Sequence, residues 1–146
     1  MNERRTTVPG DPAQLPVLMR FLQEFWSAAD LPPAQALTFE LALEEVFMNV
    51  IMHGAPAGTA LRIEVSLILT NSGLTMTVED EGPEFNPLSL PPPDTTASLG
   101  ERPVGGQGVF LVRQMMDAVN YQRVGVRNRL TMTKYIIRFS GDHLPA

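Results

Sequence analysis

The stretch Phe39-Glu40-Leu41-Ala42-Leu43-Glu44-Glu45-Val46-Phe47-Met48-Asn49-Val50-Ile51-Met52-His53-Gly54 decides how this chain is read. Leu37, Leu41, Glu44 or Glu45, Met48 and Met52 recur at spacings of three and four, which predicts a helix. Glu45 and Asn49 are one turn apart and share a face. A carboxylate and a carboxamide on a largely apolar face are costly to bury without partners. Taken alone, the pair is read as lying at the edge of the buried stripe, facing water. Gly54 supplies a residue that tolerates the left-handed conformation ending a helix.

Upstream, Asp11-Pro12-Ala13-Gln14 is a helix start: Asp11 caps, Pro12 suits the first position and Gln14 completes a capping-box pattern. Leu15, Leu18, Leu22, Phe25 and Ala29 form its apolar stripe, and Asp30-Leu31-Pro32-Pro33 breaks it. Before it, Arg4 to Val8 is a candidate edge strand.

Downstream, Leu61 to Leu67 alternates, Asn71-Ser72-Gly73 is turn chemistry, and Leu74 to Asp80 alternates again, which predicts an antiparallel hairpin. Leu74, Met76 and Val78 make its apolar face. Asp80 falls on that same face, where an apolar residue is expected. From Pro83 to Val104 the pattern vanishes among six prolines, a functional lid or a disordered stretch. Gly105-Gly106-Gln107-Gly108 follows. Val109, Val112, Met115 or Met116 and Val119 then repeat helically. Tyr121 to Val124 and Leu130 to Phe139 are the last strand candidates. The order strand, helix, helix, hairpin, lid, helix, hairpin predicts an α+β fold, a two-layer sandwich of helices on a mostly antiparallel sheet.

The 146 residues predict a single domain over 1–146, large enough to bury about 70% of its unfolded surface. No apolar run approaches the ~20 residues of a membrane helix, and no apolar segment follows Met1-Asn2-Glu3-Arg4-Arg5, so neither membrane nor secretory signal is expected. With no cysteine there is no thiolate chemistry, and the cytoplasm is the default compartment. The net charge of −5 argues against a general nucleic-acid surface.

Four signals stand in order: Glu45-x-x-x-Asn49 on a helix, Asp80-Glu81-Gly82 at a strand end, Gly105-Gly106-Gln107-Gly108 at a helix start, and Thr131 on a late strand. The glycine cluster is neither a Walker loop nor the dinucleotide fingerprint. Together they resemble the Bergerat-type ATP-binding fold of gyrase, MutL and sensor histidine kinases, and more closely the anti-sigma-factor serine/threonine kinases of bacterial partner-switching systems. Glu44 to Gly54, Val78 to Pro87, Gly105 to Asp117 and Leu130 to Lys134 carry the resemblance, which runs from about Pro9 to Ile137. Glu84 and Asn86 depart from the family's usual glycine and aspartate.

The resemblance implies ATP or ADP with Mg²⁺ as cofactors. Asn49 would ligate Mg²⁺ and Glu45 would act as general base. Asp80 would accept from the adenine amino group, and Gly82 would let the backbone approach the base. Gly105, Gly106 and Gly108 would present N–H groups to phosphate, and Thr131 would support the adenine end. Arg102 in the lid is read first as a solvated arginine, with reach to the phosphates as the alternative. The implied partners are an anti-anti-sigma protein of STAS type, a sigma factor, and a second copy in a homodimer. The alternative is a nucleotide-gated sequestering module with little or no kinase activity. His53 is read as a helix-end residue, and His143, in the tail, as no phosphoacceptor.

Overall fold

A computed structural model describes residues 2–54, 61–89 and 106–136. Among these residues five strands form one antiparallel sheet: β1 Glu3–Pro9, β2 Arg62–Thr70, β3 Gly73–Asp80, β4 Ala118–Val124 and β5 Arg127–Lys134. Their spatial order is β1-β2-β3-β5-β4. Three helices, α1 Leu15–Ala28, α2 Ala36–Gly54 and α3 Gly106–Met115, supply the second layer. This is the expected α+β sandwich. Among the described residues no helix is long and apolar enough to cross a membrane.

Alternation decides which face of the sheet is covered. Along β2, Ile63, Val65 and Leu67 are fully buried, and along β3 so are Leu74 and Met76. Residues between them, such as Glu64, Ser66, Thr75 and Thr77, are half-buried on the open face. A half-covered antiparallel sheet has this signature. On the open face Glu79 accepts from Arg127 Nη1 and Arg129 Nε, both at 2.7 Å. Burial pushes the Glu79 carboxyl up, but the two guanidinium bonds outweigh it and hold the group below the ordinary value.

Helix α1 begins as expected, with Asp11 Oδ1 accepting from Ala13 N at 2.9 Å. The Pro12–Gln14 turn is 3-10, and Gln14 makes no capping bond through its side chain. The helix ends in a Schellman motif: Leu31 N donates to Trp26 O at 3.0 Å and Asp30 N to Ser27 O at 3.1 Å. Asp30 takes the left-handed position at φ 52°, which a short polar side chain tolerates. Trp26 Nε1 then donates to Pro32 O at 2.9 Å, fixing the turn into α2.

The stripe read from α2 is its outer face. Leu37, Leu41 and Met52 are exposed at 60%, 43% and 48%, whereas Phe39, Leu43, Val46, Phe47 and Val50 are buried. This helix is apolar on nearly every side, so spacing alone does not choose a face. The aromatic and β-branched residues, which fill the space above the sheet, choose it. Two boundaries also differ from expectation. Strand β5 starts at Arg127 and stops at Lys134, and α3 stops at Met115, so Val119 belongs to β4. Lys134 Nζ donates to Met115 O at 3.0 Å, satisfying one carbonyl at the end of α3.

At Gly73 the chain turns from β2 into β3 at φ 131°. A Cβ there would sit 2.4 Å from Lys134 O and 2.9 Å from Tyr135 Cα, both backbone atoms. Gly73→Ala therefore combines a disfavoured φ with a clash that no side chain can relieve. It should destabilise the fold by about 2–3 kcal/mol. Chemical denaturation of the two proteins measures this directly, and equal midpoints would show that the hairpin shifts freely.

Candidate nucleotide site

Asp80 closes the covered face of β3. It is 5% exposed, continuing the row of Met76 and Val78. Its Oδ1 accepts from Gly82 N at 2.8 Å and from Asn128 Nδ2 at 3.0 Å. Among the described residues both hydrogen bonds to Asp80 fall on Oδ1, which leaves Oδ2 as the acceptor for an incoming donor. Gly82 is buried in the turn that follows.

Asn49 is the matching feature on α2. It is 2% exposed, and its Nδ2 donates to the Glu45 carbonyl one turn back at 2.7 Å. Among the described residues its buried Oδ1 has no hydrogen-bond partner. An orphaned buried acceptor costs roughly 1–3 kcal/mol, so it marks a place where a ligand is expected. Glu45 beside it is half-buried. Its carboxyl is raised above 4.5, first by burial and then by the charge of Glu44.

The segment after β3 links the two elements. His53, at the exposed end of α2, stacks on Phe85 with ring centroids 5.5 Å apart and planes at 29°. Asn86 Oδ1 accepts from Leu88 N at 2.9 Å and so initiates the short 3-10 turn Pro87–Ser89. Asparagine does this as well as aspartate would. Helix α3 packs on α2, with Gly106 as its first residue and Gly108 in its first turn. The remaining residues of the sequence reading, Gly105, Arg102, His143 and most of the 83–104 lid, lie outside the described residues.

Thr131 does not join this cluster. It pairs with Thr77 and Asn120 and alternates with the buried Leu130 and Met132, so its side chain belongs to the open face. The position opposite Asp80 is held by Asn128, 5% exposed. The sequence reading missed it because Arg127 and Arg129 flank it and conceal a strand. The available signal was parity: counting back from Met132 and Leu130 puts Asn128 on the inner face.

A cleft of about 470 Å³ reaches Asp80 and Gly82, walled by Arg62, Glu64, Glu79, Glu81 and Arg127 among others. Its four carboxylates disfavour phosphate. Any triphosphate is therefore better served on the α2 and α3 side. A second cleft of about 430 Å³ lies between the end of α1 and the start of α2 and includes neither Glu45 nor Asp80.

The chain belongs to the histidine kinase-like ATPase domain family, whose model matches residues 8–134. It is 29% identical over 114 residues to the serine/threonine-protein kinase BtrW of Bordetella bronchiseptica, covering 78% of this chain and 77% of BtrW. Its fold is similar to that in the crystal structure of the RsbU and RsbW domains of Rv1364c from Mycobacterium tuberculosis, with a TM-score of 0.66 at 11% identity. That match covers 94% of this chain, which spans only 33% of the larger one. It is also similar to the histidine kinase domain of the blue-light activated kinase of Erythrobacter litoralis, at a TM-score of 0.51 and 16% identity. Here 86% of this chain and 60% of the other are covered.

Proposed function

We propose that this protein is an ATP-dependent serine/threonine protein kinase and anti-sigma factor. Its substrate would be a small anti-anti-sigma protein of STAS type. The observation that carries the reading is the unpartnered, buried Oδ1 of Asn49, one turn beyond Glu45. An amide oxygen is a hard, neutral donor suited to Mg²⁺. Among the described residues no group of three or more His, Cys, Asp or Glu could hold a metal alone. A cation at Asn49 would thus take its other ligands from phosphate oxygens and water. Bound there, Mg²⁺ would neutralise charge on the transferring phosphoryl group.

The chain's own residues would do the rest. Asp80 Oδ2 accepts from the adenine amino group, and Gly82 keeps the backbone close to the base. The first N–H groups of α3 face phosphate. Glu45 takes the proton from the attacking serine or threonine hydroxyl as its oxygen bonds to the γ-phosphorus and the bond from that phosphorus to the β–γ bridging oxygen breaks, with ADP as the leaving group. A phosphorylated partner, carrying nearly two added negative charges, would be repelled by Glu44 and Glu45 and released. The unphosphorylated partner would compete with a sigma factor for the same protein, which we expect to act as a homodimer of single-domain chains.

Asn49→Ala tests the carrying observation. It deletes the orphaned acceptor, so thermal stability should hold or rise slightly, while Mg²⁺-dependent ATP affinity falls about tenfold or more. Calorimetry with and without Mg²⁺, beside a melting curve, reads both. Undiminished affinity would take Asn49 out of the site. Labelled ATP incubated with the protein and a candidate acceptor tests the kinase reading. Tight binding without transfer would favour the sequestering module.

A further inference from the structure

Asn128 is a buried carboxamide whose every polar atom is engaged. Its Nδ2 donates to Asp80 Oδ1 at 3.0 Å and Pro83 O at 2.9 Å, with a longer contact to Gly82 O at 3.4 Å. Its Oδ1 accepts from Phe85 N at 3.0 Å, Tyr121 OH at 2.5 Å and Arg123 Nη1 at 3.2 Å. Arg123 Nη1 also donates to Gly82 O at 2.8 Å. A fully satisfied buried network is rigid, and one missing member leaves several groups unpaired.

We infer that Asn128 is a positioning residue for base selection: it fixes the rotation of the Asp80 carboxylate and so presents Oδ2 to a donor. The inference rests on the reading of Asp80 given above. Three observations carry it. Asn128 opposes Asp80 in the register of two paired strands, so its donor comes from a rigid element and not from a loop. The donors on Oδ1 are two, Gly82 N and Asn128 Nδ2, which together define the carboxylate plane. The same amide holds Pro83 and Phe85, and Phe85 stacks on His53, so Asp80 and the end of α2 share one frame.

A staple that served stability alone would not care which purine is bound. A fixed acceptor does: adenine offers an amino donor where guanine offers a carbonyl oxygen. Asn128→Ser removes the amide and adds no charge. ATP should bind about tenfold more weakly, and the preference for ATP over GTP should shrink with it. Asn128→Asp retains acceptors for Phe85 N, Tyr121 OH and Arg123 but sets a carboxylate against Asp80. Like charges at this range share a proton. The charged and titratable groups in contact with the position are Asp80 from β3 and Tyr121 and Arg123 from β4, and the charge of Glu84 acts on Tyr121. In acid, a proton shared between the two carboxylates restores a hydrogen bond across the pair and leaves Asp80 Oδ2 free to accept. ATP affinity of this variant relative to wild type should be low at about pH 8 and recover toward about pH 5.

The experiment is titration of wild type and both variants with ATP and GTP across that range, with near-ultraviolet circular dichroism as the control for folding. A reduced ATP preference in Asn128→Ser together with acid recovery in Asn128→Asp supports the assignment. A folded Asn128→Ser with wild-type ATP affinity and purine preference overturns it, and this arm decides alone where Asn128→Asp does not fold. If wild type itself binds no ATP, the nucleotide reading of Asp80 falls first and takes the role of Asn128 with it.

Discussion

Glu45→Gln should lower phosphoryl transfer to the protein acceptor by roughly 10²–10⁴, the range expected for loss of a general base, and leave ATP affinity within a few-fold. The side chain keeps its shape and loses only its proton acceptor. Asn49 should be undisturbed, because its Nδ2 donates to the backbone carbonyl of Glu45 and not to the carboxylate. Burial and then Glu44 raise the Glu45 carboxyl above its ordinary value, which strengthens it as a base. The same shift has a sign in stability. A carboxyl raised on folding favours the native state only while protonated, and that contribution is lost as pH rises through the raised value. Glu45→Gln removes a charge the fold holds at a disadvantage, so above the raised value, where wild-type Glu45 is ionised, the variant should be the more stable. The gain should stay below about 1 kcal/mol, since Glu45 is only half-buried and water screens it. It should vanish in acid, where wild-type Glu45 is protonated. Single-turnover transfer and melting temperatures at two pH values test the two halves separately. Transfer at the wild-type rate would remove Glu45 as the base whatever the melting curves show.

The sheet and the Asp80 anomaly were legible because a half-covered strand writes its inner face in every second residue. In Leu74-Thr75-Met76-Thr77-Val78-Glu79-Asp80 a carboxylate breaks that row, and the structure places it buried at the strand end. The covered face of α2 was not legible for the opposite reason. Leu37, Leu41 and Met52 repeat as regularly as Phe39, Val46 and Val50, and only the second set meets the sheet. Thr131 and Asn128 show the limit of motif order without parity. Both lie on β5, but an odd step separates them, so one faces Thr77 on the open side and the other faces Asp80. The carbonyl and amide partners of Asn128 come from residues more than forty positions earlier in the chain, and no local pattern encodes such a contact.

Asp80→Asn should weaken ATP binding by about 2–4 kcal/mol, the cost of losing a hydrogen bond to a charged acceptor and leaving a buried polar group mispaired. The geometry explains why so small a change matters. Oδ1 must accept from both Gly82 N and Asn128 Nδ2, at 2.8 and 3.0 Å. An amide can accept at only one of its two ends. If its oxygen keeps those two donors, its nitrogen points toward the ligand and meets the adenine amino group donor to donor. If it flips to offer oxygen to the ligand, its nitrogen confronts Gly82 N and Asn128 Nδ2. Either orientation leaves a clash of like groups in a site that is 5% exposed at Asp80. The lesion is confined to the base end, so affinity for inorganic triphosphate with Mg²⁺ should not change, whereas Asn49→Ala should weaken both ligands. Titration of each variant with ATP and with triphosphate separates the two ends of the site. Equal ATP affinity in wild type and Asp80→Asn would mean that this carboxylate reads no base.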